Sequence, residues 1–290
     1  MVVTFTAGGT PDAIARIVAG QMERQLGQSF VVLNRPGASG VIGSQLVASA
    51  PADGYTLLMV FPAHPVNPSL FKTLPYDTVK AFAPITVVST VSTVLIVGND
   101  SPVKTTQEMI ALAKAKPGAL NYGSVGSGSL GHLAAELMRS MAQLRITHVP
   151  YKGSPQVLTA LVAGEIQLYF IASAGTVVPQ EKAGRVRAIG VSSPQRSSFL
   201  PNLPAIAETL PGYDNDLWWG VFTAAKVPKA TIDRLNTEIH KTMATDELKK
   251  RFAEFGAVAA PTTPEGFNAI VKSEIAKWSK VIREANIQAQ

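Results

Sequence analysis

Apolar residues recur along this chain in two periods, one suited to buried strands and one to helices with a single apolar face. Short apolar runs at residues 2–6, 30–33, 55–60, 82–88, 94–97, 146–149, 166–171, 186–191 and 217–223 predict strands. Ile14, Ile17, Val18, Met22 and Leu26 fall at helical spacing, and Gly27 ends that helix. Thr10 reads as its N-cap, Pro11 as its first helical residue, and Asp12 as a carboxylate at its positive end. The same signals predict helices at 41–50, 106–116, 155–163, 229–244 and 246–255, and a last one from Pro264 that turns Phe267, Ile270, Val271, Ile275, Trp278 and Ile282 inward. Thr105 and Glu108 form a capping box, Ser154 reads as an N-cap, and Thr263 caps the last helix. Residues 61–75, with four prolines and His64, read as irregular, and 192–211 as a connection.

The order of these elements predicts an α/β protein. A β-α-β-α-β series opens the chain and, with right-handed crossovers, implies a parallel sheet. A second series starts at Asn121 and repeats the architecture at low identity: Gly-rich loop, helix, strand, a turn with Pro and Gly, then a helix ending Leu-Val-Ala. The late strand and C-terminal helices need a sheet to cover. This predicts two domains, one built from residues 1–100 plus 214–290 and the other from 101–213.

At 46% hydrophobic and 16% charged, the 290 residues suit a globular chain with a sizeable core. The net charge of +6 is scattered and lacks interleaved aromatics, so nucleic-acid binding is not expected. No apolar run reaches membrane-span length, so the chain is not expected to be membrane-embedded. The absence of cysteine excludes disulfides, thiolate metal sites and cysteine catalysis. The chain enters a strand almost at once, so an export leader, if there was one, is expected to have been removed.

Candidate chemistry concentrates in the stretch Asn-Tyr-Gly-Ser-Val-Gly-Ser-Gly-Ser-Leu-Gly-His-Leu at 121–133. Glycines let backbone N–H groups approach a ligand, and the first turn of the following helix adds unpaired N–H groups and a partial positive charge. With the serine hydroxyls this makes an anion site. The loop holds no lysine or arginine, which favours a carboxylate over a triphosphate. A Gly-Ser turn that only caps a helix fits the same residues. No phosphate-loop, G-x-S-x-G or H-E-x-x-H spacing is seen, and the early loop Ala7-Gly8-Gly9 does not follow the dinucleotide fingerprint. The four histidines are isolated in sequence, so no metal or cofactor is expected. His132 reads as a structural hydrogen-bonding residue, Asp12 as a loop-tying one, and Trp218 as core or ligand wall.

Several stretches then converge. Ala7-Gly8-Gly9 with Asp12 and Ala15-Arg16, Asn34-Arg35-Pro36-Gly37, Asp53-Gly54-Tyr55-Thr56-Leu57-Leu58, Asn67-Pro68-Ser69-Leu70 and Leu74-Pro75-Tyr76-Asp77 follow one pattern. So do Gly128-Ser129 with His132-Leu133, Val149-Pro150-Tyr151-Lys152-Gly153, Arg187-Ala188-Ile189 and Leu235-Asn236. In order and spacing the chain resembles the substrate-binding proteins of tripartite tricarboxylate transporters, the Bordetella uptake gene family, over nearly its whole length. The resemblance implies a periplasmic solute-binding protein of the two-domain, type II periplasmic-binding-protein-like fold. Each domain is then a mixed sheet flanked by helices, with a ligand cleft between them that closes on a small carboxylate. It implies a monomer serving the membrane subunits of such a transporter, without catalysis. The site it implies comprises Phe5, Ala7, Gly8, Gly9 and Asp12, then Phe61, Pro62, Ala63 and His64, then Ser127, Gly128 and Ser129, then Phe170, Ile171, Ala172 and Ser173, and Trp218.

Two departures shape the expected ligand. Thr10-Pro11 stands where the family often has Gly-Thr, and Ile171 where many members carry Asp, which argues against an amino-acid ligand. Apolar Phe61, Phe170 and Ile171 favour a dicarboxylate or aromatic carboxylate over citrate. The rival readings are a hydrolase-like enzyme using Ser127 or Ser129, and a ligand sensor that presents its closed form to a signalling partner.

Overall fold

Two short parallel pairings anchor the start of the chain: Val2 and Val3 lie beside Leu33 and Asn34 on one side, and beside Leu58 and Met59 on the other. The computed structural model describes residues 1–171 and 174–287. In chain order the first elements are β1 (Val2–Val3), α1 (Thr10–Leu26), β2 (Leu33–Asn34), α2 (Val41–Ala48), β3 (Leu57–Val60), α3 (Ala63–Leu70) and β4 (Phe82–Val91). Then come β5 (Val94–Gly98), α4 (Thr106–Ala115), β6 (Leu120–Ser124), α5 (Leu130–Ala142), β7 (Ile146–Pro150), α6 (Ser154–Val162), β8 (Leu168–Ile171), α7 (Ala174–Lys182) and β9 (Val186–Val191). The chain continues with β10 (Leu217–Ala224), α8 (Lys229–Ala244), α9 (Asp246–Ala253), β11 (Val258–Ala259) and α10 (Pro264–Glu284).

These elements divide into two units, Met1–Thr90 with Leu217–Ile282, and Val91–Asp216 with residues 283–287. The first sheet has the order β2-β1-β3-β10-β4-β11, with β10 antiparallel to β3. All eight residues of β10 are buried, so this strand is covered on both faces. At Gly220 an added Cβ would stand 2.1 Å from the Phe267 ring, so the glycine lets α10 press onto the sheet. Trp218, Phe222, Phe267 and Val271 share one core cluster with Val2, Leu58 and Val60.

The second sheet has the order β7-β6-β8-β5-β9. β6 runs parallel to β7 and to β8, and β5 runs antiparallel to β8 and β9. Both sheets therefore set one strand between the two that follow it in the chain, β1 between β2 and β3 and β6 between β7 and β8, and place an antiparallel strand, β10 or β5, next in order. Ile171 belongs to the core of the second unit, with Val94, Val157, Val177 and Val191.

The structure departs from the sequence reading at several places. The strand Val94–Gly98, read into the first domain, pairs in the second sheet, so the chain crosses after Thr90 and after Asp216. Residues 63–70 are helical despite Pro65 and Pro68. Pro65 falls in the first turn, where its missing N–H has no intrahelical acceptor to lose. Helix α7 is absent from the sequence reading; it forms although it holds Gly175 and Pro179, two residues of low helix propensity. The N-caps of α1 and α6 are Gly9 and Gly153, one residue before Thr10 and Ser154, and neither makes a side-chain cap. The Thr105 cap and the Thr263 bond to Gly266 N–H, at 3.1 Å each, are present.

Candidate functional site

In the first unit, the predicted site residues gather at the carboxyl edge of β1 and β3. The chain leaves β1 through Phe5, Ala7, Gly8 and Gly9, and Gly8 takes a φ of +82°, a backbone conformation that favours glycine. Asp12, 4% exposed, ties this loop down. Its Oδ2 accepts from Gly8 N–H at 2.9 Å and from Arg16 Nε at 3.1 Å, and its Oδ1 from Asn34 Nδ2 at 2.8 Å. Burial works to raise the Asp12 pKa, but hydrogen bonds from Arg16, Gly8 and Asn34 outweigh it and hold the carboxyl below its usual range. Asp12 is thus committed to the loop, and Arg16 is committed to Asp12 and Asn34.

Phe5, 36% exposed, meets Phe61 edge to face with centroids 5.4 Å apart. Pro62 caps α3 and Ala63 begins it. His64 turns inward: it is 3% exposed and packs against Phe82 and Phe222 at 5.2 and 5.3 Å. Burial pushes its pKa down to about 4. Trp218 is likewise buried, edge to face with Phe267 at 5.3 Å, yet its indole N–H has no partner among the described residues. A surface cavity of about 820 Å³ in this unit lies at the opposite edge, by Met1, Phe30, Tyr55 and Arg234, away from every predicted site residue.

In the second unit, β6 delivers the chain into the Gly-Ser loop. Ser124 is fully buried; its Oγ meets His148 Nε2 at 2.6 Å and accepts from Gly126 N–H at 3.1 Å. Gly128, at φ +77°, donates its N–H to His132 Nδ1 at 2.9 Å, and Ser129 donates its N–H to Gly126 O at 3.2 Å. The loop is held in shape from below, and two of the N–H groups expected to meet an anion are already engaged. Ser127 is exposed. Ser129 is the N-cap of the thirteen-residue α5 but makes no side-chain cap; its Oγ is buried and has no partner among the described residues.

Beneath the loop lies a polar cluster that the sequence reading did not assemble. His132 and His148 stack, Tyr122 stacks on both, and Tyr122 OH donates to Glu136, which pairs with Arg139 at 2.6 Å. Burial first, then the neighbouring His148 and Arg139, push the His132 pKa down to about 4. Burial lowers that of His148 too, against the pull of Glu136, and burial and Glu136 raise that of Tyr122. The register that sets Tyr122 opposite His148 is the missing signal, because strand pairing is not visible in a single stretch.

A second overlooked pattern is Gly126-x-Gly128-x-x-Gly131 between β6 and α5, the spacing of a dinucleotide loop. Gly131 plays the packing role of the third glycine, since a Cβ there would stand 2.7 Å from Phe170 O. The ribose-binding acid such a site needs about 20 residues on is absent, as residues 146–153 hold no carboxylate. Phe170 and Ile171, at the end of β8, are 2% exposed and packed inside this unit, so they are not free-standing walls. Ala172 and Ser173 lie outside the described residues. Among the described residues no group of His, Asp and Glu could hold a metal, and no helix is long and apolar enough to cross a membrane.

Comparison with known proteins adds an independent line. Residues 14–287 match the model of the tripartite tricarboxylate transporter family receptor. The chain is 38% identical over 290 residues to the UPF0065 protein in the tcbD-tcbE intergenic region of Pseudomonas sp. (strain P51), covering 99% of this chain and 86% of that one. Among solved structures it is 35% identical to R. palustris Rpa4515 with adipate, at a TM-score of 0.78 over 100% and 97% of the two chains. It is 29% identical to the periplasmic binding protein BugD, at a TM-score of 0.74 over 100% and 98%. The architecture expected from the sequence, two mixed sheets flanked by helices in a periplasmic-binding-protein fold, is the one these neighbours share.

Proposed function

This chain belongs to the tripartite tricarboxylate transporter receptor family, and on that footing we propose that it captures a small dicarboxylate in the periplasm and delivers it, as a monomer, to the membrane subunits of such a transporter. The observation that carries the carboxylate is Ser129. Its hydroxyl is buried without a partner among the described residues, at the N-cap of α5, where first-turn N–H groups have no intrahelical acceptor. An anion there would meet the positive end of the helix, with no cation in the loop to demand higher charge. Exposed Ser127 adds a second hydroxyl. In the first unit, the loop of Phe5, Ala7, Gly8 and Gly9, shaped by Asp12, and the neighbouring Phe61 supply the other proposed contacts. The adipate carried by the R. palustris relative supports a dicarboxylate over an aromatic acid.

The Ser124–His148 pair resembles a nucleophile–base dyad, but Ser124 is 0% exposed, which leaves a substrate no approach. A receptor reading needs no such approach. A thermal-shift screen of mono-, di- and tricarboxylates tests it. A true ligand at a hundredfold excess over its Kd stabilises by about 2.7 kcal/mol. No shift with any carboxylate overturns the proposal.

A further inference from the structure

Beyond the Gly-Ser loop, the carboxyl edge of the second sheet carries, among the described residues, buried polar side chains left without partners. Val94 at the start of β5 pairs with Ile171 at the end of β8 and with Val191 at the end of β9, so these residues form one row. The residues just past that row are Thr93, Ser192 and Ser193. Thr93 N–H donates to Ser192 Oγ at 2.8 Å, Ser192 N–H to Thr93 O at 2.9 Å, and Asn215 N–H to Ser192 O at 3.0 Å, so the backbones are locked together. Thr93, Ser193 and Asn215 are 1%, 8% and 3% exposed. Yet Thr93 Oγ1, Ser193 Oγ and Asn215 Nδ2 have no hydrogen-bond partner among the described residues, whereas Ser192 Oγ between them is satisfied.

Buried polar groups are nearly always paired, because an unmade hydrogen bond away from water is destabilising. Three exceptions on one short edge call for a common partner. The amide nitrogen can only donate, and each hydroxyl can donate, so the set asks for an acceptor rich in lone pairs. The three side chains themselves carry no charge. A carboxylate, with two oxygens and about four lone-pair sites, meets that demand.

The geometry points to Thr93, Ser193 and Asn215 as a polar subsite for the second carboxylate of a two-ended ligand whose first carboxylate sits at Ser129. This rests on the proposed carboxylate-binding function and gives it a selectivity. β6, which leads to the Gly-Ser loop, and β5 are separated only by β8. From β6, Thr93 before β5 lies two strand spacings away, roughly 10 Å, and Ser193 past β9 three, roughly 14 Å; an extended diacid with a hydrogen bond at each end bridges the nearer of these.

The test uses the full chain with adipate and hexanoate, which have the same carbon count and differ in the second carboxylate. Calorimetry on the parent, Ser193→Ala and the double variant Thr93→Val/Ser193→Ala is read beside their ligand-free thermal melts; Ser193→Ala, the mildest change, serves if the double variant does not fold. The expected result is a parent that prefers adipate, variants that lose about tenfold or more in adipate affinity, and hexanoate binding that changes less than about twofold. Variants that bind adipate like the parent, or that weaken both acids equally, overturn the subsite while leaving the receptor function standing; the second pattern would mark the three groups as holders of trapped water. A parent that binds neither acid overturns the two-ended subsite, while the receptor function stands or falls on the wider carboxylate screen.

Discussion

The imidazoles of His132 and His148 stack 3.9 Å apart, with their planes 15° from parallel. Two cations at that separation repel, and the pair lies over buried Tyr122, so the neutral forms are favoured. Ser124 Oγ meets His148, and the charges of Arg139 and Glu136 act on His132 and His148 respectively.

This fixes the sign of a pH dependence. His132 and His64 have folded-state pKa values near 4, against about 6.5 when unfolded. Between those values the unfolded chain binds protons that the native state refuses, so stability rises with pH there. Stability is expected to be flat above about pH 6.5 and to fall steadily toward pH 4. Urea melts across that range check it. His132→Gln, which cannot charge, should flatten part of the slope; an unchanged slope would remove His132 from the account.

Ser129→Ala separates a ligand contact from a helix cap. An ordinary N-cap serine costs about 1 kcal/mol when replaced by alanine. Ser129 makes no cap bond, so the ligand-free melt should move much less than that. Dicarboxylate affinity, measured by calorimetry, should weaken by about 0.5–3 kcal/mol. The reverse pattern would make the serine structural.

Gly131→Ala should destabilise the second unit. The new methyl would stand 2.7 Å from Phe170 O, a backbone atom that cannot rotate away. The cost is expected at about 1–3 kcal/mol, typical of overpacking, read from the shift of the denaturant midpoint multiplied by the slope m. Gly20→Ala in α1, with open space around its Cβ position, is the matched control and should be neutral or stabilising.

Asp12→Asn keeps the shape but removes the charge that three donors converge on. A loss of about 1–3 kcal/mol is expected, toward the lower end because Arg16 is half exposed. The Asp12 pKa is held below its usual value, so the parent should lose this contribution as pH falls below the ordinary aspartate range. The variant should not. Equal acid sensitivity in the two proteins would count against the network.

What could be read from sequence follows the range of the forces involved. The Thr105–Glu108 cap, the stripe of α1 and the Gly-Ser loop before α5 are set by residues a few positions apart, and all were legible. The His132–His148 stack was not, because it depends on β6 and β7 pairing in one register. Helix α3 was hidden by prolines whose cost depends on their place in the turn. Ile171 reads as a pocket wall from its position in the pattern, but its packing against Val94 and Val177 makes it core. An Ile171→Asp change would therefore test folding of the second unit before it tested ligand choice.

The position of β10 has a consequence for how the protein is made. β3 is complete at Val60, but the strand that covers its edge begins at Leu217. During vectorial synthesis the buried face and open edge of Leu57–Val60 must wait through more than half of the chain for a partner. The strands of the second sheet all lie between Val94 and Val191, so that sheet can close while the first is still unfinished. The sheet that starts last is thus able to finish first, and the nascent N-terminal region is the part of the molecule most in need of protection from edge-to-edge association.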